Sequence, residues 1–264
     1  MTDDNHAPEP EYDDTAIRFL EALWGEGYLS PGGPDEVARV VRNVDLTDKA
    51  VLDIGCGSGG ITLFLAKSYP LRSILGFDVE QPVISLAAQR AEDMGLAGKA
   101  TFLKGGPGPY PFDGASFDVV FSKDALIHVA DKESLFVEIA RILRPGGVFA
   151  ASDWLTNQDG PMSPQMAAYV KAEGLSFGMA SADRYLSAMR AAGLVETSSV
   201  NRNAWYRDVA RKELARLQGP LYDKVAAKVG AAYVDKNIAT WTAMQKVLDS
   251  GEHCPTHLFA RKPV

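Results

Sequence analysis

The 264-residue sequence predicts an α/β fold, a doubly wound, seven-stranded, mostly parallel sheet with a helical cap. Three observations carry that prediction. Short apolar segments alternate with amphipathic helical segments from Ala50 to Ser152, and strands apolar along their whole length belong to parallel sheets covered on both faces. The first of them ends in the glycines Gly55, Gly57, Gly59 and Gly60, just ahead of a helical stretch. Hydrophobic residues make up 46% of the chain, enough for the core of one large domain.

Met1–Pro10 is acidic and polar and reads as a disordered tail, leaving 11–264 as a single domain. Ile17, Phe19, Leu20 and Leu23 recur at near-helical spacing over Asp14–Leu23. Gly25-Glu26-Gly27 ends that helix and Pro31-Gly32-Gly33-Pro34 marks a loop. A second helix follows from Asp35, its N-cap, to about Val44. Strands are expected at Ala50–Ile54, Ser73–Phe77, Ala100–Leu103, Phe117–Phe121 and Val148–Ser152. Helices are expected between them at Ile61–Ser68, Pro82–Met94 and Lys132–Leu143, the last stopped by Arg144-Pro145-Gly146-Gly147. From Thr156 the rhythm changes. Helices are expected at Met166–Glu173 and Ala182–Ala192, a strand at Leu194–Val200, mostly helix over Tyr206–Val247 and a final strand at Thr256–Arg261. The stretches 156–193 and 203–250 form the expected cap.

The net charge of −7 repels phosphate backbones and anionic membrane surfaces, so neither nucleic acid nor membrane is an expected partner. Only two cysteines occur, Cys56 inside the glycine run and Cys254, and the four histidines are scattered, so neither a disulfide nor a metal site is expected. No basic-then-apolar leader opens the chain, and no apolar run approaches the roughly 18 residues of a membrane span. The expectation is a cytoplasmic protein, monomeric or homodimeric, acting on a small molecule.

The decisive stretch is Val51-Leu52-Asp53-Ile54-Gly55-Cys56-Gly57-Ser58-Gly59-Gly60. Alternate glycines let a backbone turn tightly and approach a ligand where a side chain would clash, and ligands of open parallel sheets sit at the carboxyl ends of strands. Gly55, Gly57 and Gly60 also satisfy G-x-G-x-x-G, a dinucleotide signature. Asp53 tilts the choice, because a carboxylate beside the turn repels a pyrophosphate and favours a ligand carrying an ammonium and a sulfonium. Asp78 ends the second strand and offers an acceptor to both hydroxyls of an adenosine ribose, in either kind of ligand.

The set Asp53-x-Gly55-x-Gly57-x-Gly59 with Asp78, Phe117-Asp118-Val119-Val120 and Arg144-Pro145-Gly146-Gly147 resembles the class I S-adenosylmethionine-dependent methyltransferases over roughly Asp45 to Asp153. The resemblance implies a Rossmann-like fold and S-adenosyl-L-methionine as cofactor, held by Asp53, Gly55, Gly57, Gly59, Asp78 and Val79. Many such enzymes place an acidic residue after the third strand. Here Lys104-Gly105-Gly106-Pro107 stands instead, and backbone groups near Gly105 and Gly106 take the adenine.

Methyl transfer to nitrogen, oxygen, sulfur or carbon is an in-line displacement, in which the protein aligns the nucleophile and supplies its lone pair. Asp124 and His128, after the fourth strand, stand four apart and share one face if that segment is helical. Ser122-Lys123-Asp124-Ala125-Leu126-Ile127-His128-Val129, and Tyr12-Asp13-Asp14 followed by Gly27-Tyr28-Leu29-Ser30-Pro31-Gly32-Gly33, are similar to stretches of the phosphoethanolamine N-methyltransferases. That similarity implies a Tyr12–His128 dyad closing the site under an N-terminal lid over 11–34. It further implies that Asp124 contacts the amine and that Ser30, with Lys123, lies at the cofactor. Tyr28, Trp154 and Tyr169 are candidate aromatic faces for a cationic amine. The family's phosphate-gripping arginine and lysine align with Glu173 and Met244, and Glu173 suits a cationic or neutral polar acceptor. Lys171, Arg184, Arg202 and Arg207 read as solvated surface charges.

The expected activity is therefore methyl transfer to the nitrogen of a small amine. S-, O- or C-methyl transfer on the same fold is the alternative, and an NAD-dependent oxidoreductase or a catalytically silent binding module are readings from other classes.

Overall fold

A computed structural model of the chain describes residues 12–106, 108–175 and 177–264. The expected tail at Met1–Pro10 lies outside them. Strands β1 (Ala50–Ile54), β2 (Ser73–Asp78), β3 (Ala100–Lys104), β4 (Phe117–Lys123), β5 (Leu143–Thr156), β6 (Val195–Asn201) and β7 (His253–Arg261) form one seven-stranded sheet. Its order is β3-β2-β1-β4-β5-β7-β6, parallel from β3 to β5, with β7 antiparallel to both β5 and β6. The chain winds outward one way from β1 and the other way from β4. The reversal lies between them, where ligands bind in open α/β sheets.

Helices α1 (Asp14–Trp24) and α2 (Gly33–Val40) precede β1, and α3 (Gly60–Ser68), α4 (Gln81–Asp93) and α5 (Lys132–Ile142) are crossovers. Helices α6 (Pro164–Glu173) and α7 (Ala182–Ala191) follow β5, and α8 (Asn203–Leu217), α9 (Tyr222–Val229) and α10 (Ala231–Asp249) lie between β6 and β7. Strand alternation divides the core. Leu52, Ile54 and Val120 face α5 and α7, whereas Val51, Val119 and Phe121 face α2 and α3. A third cluster joins α1, α6, α8, α9 and α10 around Phe19, Tyr169, Tyr206, Trp241 and Met244. Cys56 and Cys254 are both free. Among the described residues no helix is long and apolar enough to cross a membrane.

The second helix starts at Gly33, not Asp35, because Pro34 takes the first-turn position it favours. The fifth strand is longer than its apolar centre. β7 pairs with it residue by residue from Val148 to Thr156, and this partner lies about a hundred residues away in sequence. Phe117 pairs with Leu143 and Val119 with Val148, so Arg144-Pro145-Gly146-Gly147 bulges opposite Asp118. That carboxylate accepts from the Ala50 amide (2.8 Å), Arg72 (3.0 Å) and Arg144 (2.8 Å), tying the starts of three strands together.

A buried ion cluster fastens α2 to the far edge of the sheet. Glu36, 2% exposed, accepts both arms of the Arg202 guanidinium at 2.9 Å, and the His257 ring nitrogen lies 2.7 Å away. Burial alone would push Glu36 up, but hydrogen bonds from His257 and Arg202, with their charges, bring it down to about 2. The stabilisation is complete above the ordinary carboxyl value and is lost as pH falls from about 4.5 toward 2. Chemical denaturation across that range should show the loss. In Glu36→Gln it should be visibly shallower, on a protein about 3 kcal/mol less stable at pH 7 because Arg202 is left without its counter-charge.

Candidate active site

The turn after β1 is shaped by the protein around it. Gly55 has φ +73°, and a Cβ built on it would lie 2.1 Å from the Ala125 Cβ. No other residue type fits between the carboxyl ends of β1 and β4. At Gly60 a Cβ would fall 2.5 Å from the Gly27 carbonyl, which accepts the Gly60 amide at 3.0 Å. The loop after α1 thus docks on the start of α3.

Asp78 braces the turn from β2. Its carboxylate accepts the amides of Gly57 (2.9 Å) and Glu80 (3.1 Å). Burial raises its pKa against those bonds and against the charge of His128. Exposed Val79 lies next to it. Gly105 donates its amide to the Asp78 carbonyl at 2.9 Å, and its lack of a side chain is required by the Phe77 ring, 2.1 Å from where a Cβ would lie. Gly55, Gly57, Gly59, Asp78, Val79 and Gly105 therefore gather at the carboxyl ends of β1, β2 and β3. Asp53 differs from the expectation that its carboxylate stands beside the turn. It is 1% exposed and takes the Thr62 hydroxyl at 2.6 Å, and burial pushes its pKa up to about 7. It supports the turn from beneath, within β1.

Beside this turn opens a cleft of about 730 Å³, counted out to its mouth. One wall is Tyr12 and then α1, through Ala16, Phe19, Leu20 and Trp24, continued by Leu29 and Ser30. The floor comes from the ends of β4 and β5, with Asp124, Ile127, His128 and Trp154. The far wall is Glu173 at the end of α6 and Leu175 and Phe177 beyond it, with Tyr233, Asn237 and Trp241 on α10. Tyr12, Ser30, Asp124, His128, Trp154 and Glu173 thus meet in one cavity, although they span most of the sequence.

Asp124 and His128 do not share a helical face. Asp124 has φ +56°, a conformation Asp tolerates better than most residues, and only Leu126–His128 forms a single 3-10 turn. The turn is held from below. Asp153, fully buried, accepts the Ile127 amide (3.2 Å) and the Tyr185 hydroxyl (2.5 Å). Lys132, also fully buried, donates to the carbonyls of Leu126 (2.7 Å) and Val129 (2.5 Å). Burial pushes Asp153 up to about 7 and Lys132 down to about 8, and each charge partly offsets the shift of the other. Lys123 is closed off from the cleft, donating to Ser30 (3.0 Å) and to Asp124 (2.5 Å).

Two of the aromatic candidates do not face the cleft. Tyr169 is fully buried against His253 (ring centroids 5.6 Å apart), and burial raises its hydroxyl far above the ordinary range. The inward face of α6 carries it into the helical core. Tyr28 packs on the cluster around α2 and α3, where burial pushes it up to about 12. Trp24, Trp241, Phe19, Phe177 and Tyr233 take the place of these two, and sequence reasoning missed all five. For the four on helices the one local signal was periodicity, which says that a face is buried and not that a cavity lies beside it, and Phe177, between α6 and α7, had none. Glu213 was missed as well. Nearly buried, it accepts both indole N–H groups, Trp24 at 2.6 Å and Trp241 at 3.1 Å, and so fixes α1 to α10 across the cleft. Glu21 fixes α1 to the turn, accepting from Gly27 (3.1 Å), Ser58 (2.9 Å) and Arg90 (2.8 Å). The Tyr12 amide reaches Glu80 at 3.1 Å.

Residues 51–147 match the methyltransferase domain family. Phosphoethanolamine N-methyltransferase 1 of Triticum aestivum is 29% identical over 92% of this chain and 47% of its own length. Phosphoethanolamine N-methyltransferase 3 of Arabidopsis thaliana is 30% identical over 77% of this chain and 41% of its own. The chain thus spans about half the length of the curated relatives it matches. Among solved structures, Haemonchus contortus phosphoethanolamine N-methyltransferase 2, in complex with phosphomonomethylethanolamine and S-adenosylhomocysteine, superposes with a TM-score of 0.88 at 24% identity, covering 97% of this chain and 59% of that one. A putative sarcosine dimethylglycine methyltransferase from Galdieria sulphuraria superposes at 0.83 with 22% identity, over 95% and 97% of the two chains. From β1 to the bulge in β5 the chain therefore carries a methyltransferase domain, built on the sheet order described above.

Proposed function

We propose that this chain transfers a methyl group from S-adenosyl-L-methionine to the nitrogen of a small amine, as a cytoplasmic monomer or homodimer. The observation that carries the reading is the cleft itself. Aromatic rings, two carboxylates and His128 line one cavity at the carboxyl end of β4, beside the turn that Asp78 braces. Residues at that turn fit an adenosyl ligand. Asp78 retains acceptor capacity for a ribose diol beyond its two amide bonds, and the close-packed glycines let the backbone reach it. The antiparallel β7 departs from the dinucleotide-binding strand order, which counts against NAD.

S-Adenosyl-L-methionine supplies, when bound, a methyl already activated on a sulfonium. The C–N bond forms as the C–S bond breaks, and the ammonium proton must leave so that the lone pair is free. His128 accepts that proton, Asp124 orients the amine by charge, and the rings of Trp154, Phe177 and Trp241 exclude water. Tyr12 and α1 cover the cavity, with Ser30 and Lys123 holding Asp124 in place.

Calorimetric titration with S-adenosyl-L-methionine and with NAD tests the cofactor, and release of S-adenosylhomocysteine from a panel of amines, thiols and phenols tests the reaction. Binding of NAD alone, or release only with thiols or phenols, overturns the reading. Asp78→Ala should weaken S-adenosyl-L-methionine binding by about 10- to 100-fold, the worth of one or two hydrogen bonds to a charged group. Unchanged affinity in that variant removes Asp78 from the site.

A further inference from the structure

The far wall of the cleft decides what the acceptor carries besides its amine. Resting on the methyl-transfer reading above, we propose that the acceptor has no anionic tail and that Glu173 selects it, so that the substrates are unphosphorylated, cationic amines.

The argument is one of charge. The described residues that line the cleft include two carboxylates, Asp124 and Glu173, and no lysine or arginine. Asp124 already has Lys123 as its counter-ion at 2.5 Å. Glu173 has no such partner in the cavity, since the nearest acting cation, Lys236, lies on the exposed side of α10. Burial pushes Glu173 up to about 7, so an ionised carboxylate is costly there until a cation joins it.

A phosphate or carboxylate tail would instead meet Glu173 with like charge and find no donor fork to hold it. Two of the arginines that might have served are committed elsewhere, and Arg207 does not line the cleft. Arg184 pairs with Glu133 at 2.8 Å and Arg202 with Glu36 at 2.9 Å. The flanking aromatics Phe177, Tyr233 and Trp241 suit the hydrocarbon and the positive head of an amine, whose attraction to ring faces needs no exposed counter-ion.

The test uses the whole chain saturated with S-adenosylhomocysteine and three probes with the same amine class. These are N-methylethanolamine, phosphomonomethylethanolamine and sarcosine, which end in a hydroxyl, a phosphate and a carboxylate. N-Methylethanolamine should bind at least tenfold tighter than the other two by calorimetry. Glu173→Gln should reduce that ratio to within about threefold, and Glu173→Arg should reverse it. Thermal melting of each variant identifies any that fail to fold, and the wild-type ratio stands without them. Tighter binding of either anionic probe to the wild type, binding of none of the three, or a ratio unchanged in folded Glu173→Gln overturns the proposal. The methyl-transfer reading fails separately, if no amine that binds releases S-adenosylhomocysteine from the loaded enzyme.

Discussion

Asp153→Ala is expected to destabilise the fold by about 3–5 kcal/mol, the cost of leaving a buried charge uncompensated. Three losses act in the same direction. The Tyr185 hydroxyl and the Ile127 amide lose their acceptor, and Lys132 loses the carboxylate that offsets its desolvation. Asp153→Asn retains an acceptor oxygen and should recover roughly half of the loss, which separates the hydrogen bonds from the charge. In the double variant Asp153→Ala with Lys132→Met the two costs should fall well short of adding, because neither residue is left unpaired. Urea denaturation of the wild type, Asp153→Ala, Lys132→Met and the double variant measures this, with Asp153→Asn alongside. Additive losses would mean that the two groups do not act on each other. The same pair carries the 3-10 turn at Leu126–His128 from beneath, so loss of stability should bring loss of turnover at temperatures where the protein is still folded.

His128→Ala should lower kcat by about 10²–10⁴-fold, the contribution of a positioned proton acceptor, with S-adenosyl-L-methionine affinity within about twofold of wild type. The side chain lines the acceptor cleft, whereas the turn braced by Asp78 is assembled from other residues. Single-turnover kinetics and calorimetry on one preparation give both quantities. Collapse of cofactor affinity with kcat preserved would move His128 out of the acceptor chemistry and into cofactor binding. A partial rescue of the rate at higher pH, where more of the free amine is deprotonated in solution, is the signature of a lost base and is not expected of a residue that only packs.

Much of this architecture was legible in the sequence because its signals are local. Ala50–Ile54 is apolar at four of its five positions and reads as a strand covered on both faces, and all five side chains are buried. Gly55 to Gly60 are spaced as a tight turn, and Asp78 comes at the end of the next strand, so strand, turn and brace could be placed from neighbours in the chain alone. Tyr12 and Glu173 entered through similarity to a family, Asp124 and His128 first through their place after the fourth strand, and the cleft brings the four together.

What the sequence determined by itself, then, was the order of strands and helices and the turn at the carboxyl end of β1, where adjacent residues dictate backbone conformation. Only the tertiary structure decided which side chains face the cavity. Tyr169 and Trp241 are both aromatic residues on amphipathic helices, yet one is sealed against His253 and the other opens onto the cleft beside Trp24. Periodicity marks the buried face of a helix but not the element that covers it. Glu213, which joins Trp24 to Trp241 across most of the chain, has no meaning until the fold has brought its partners within hydrogen-bonding distance.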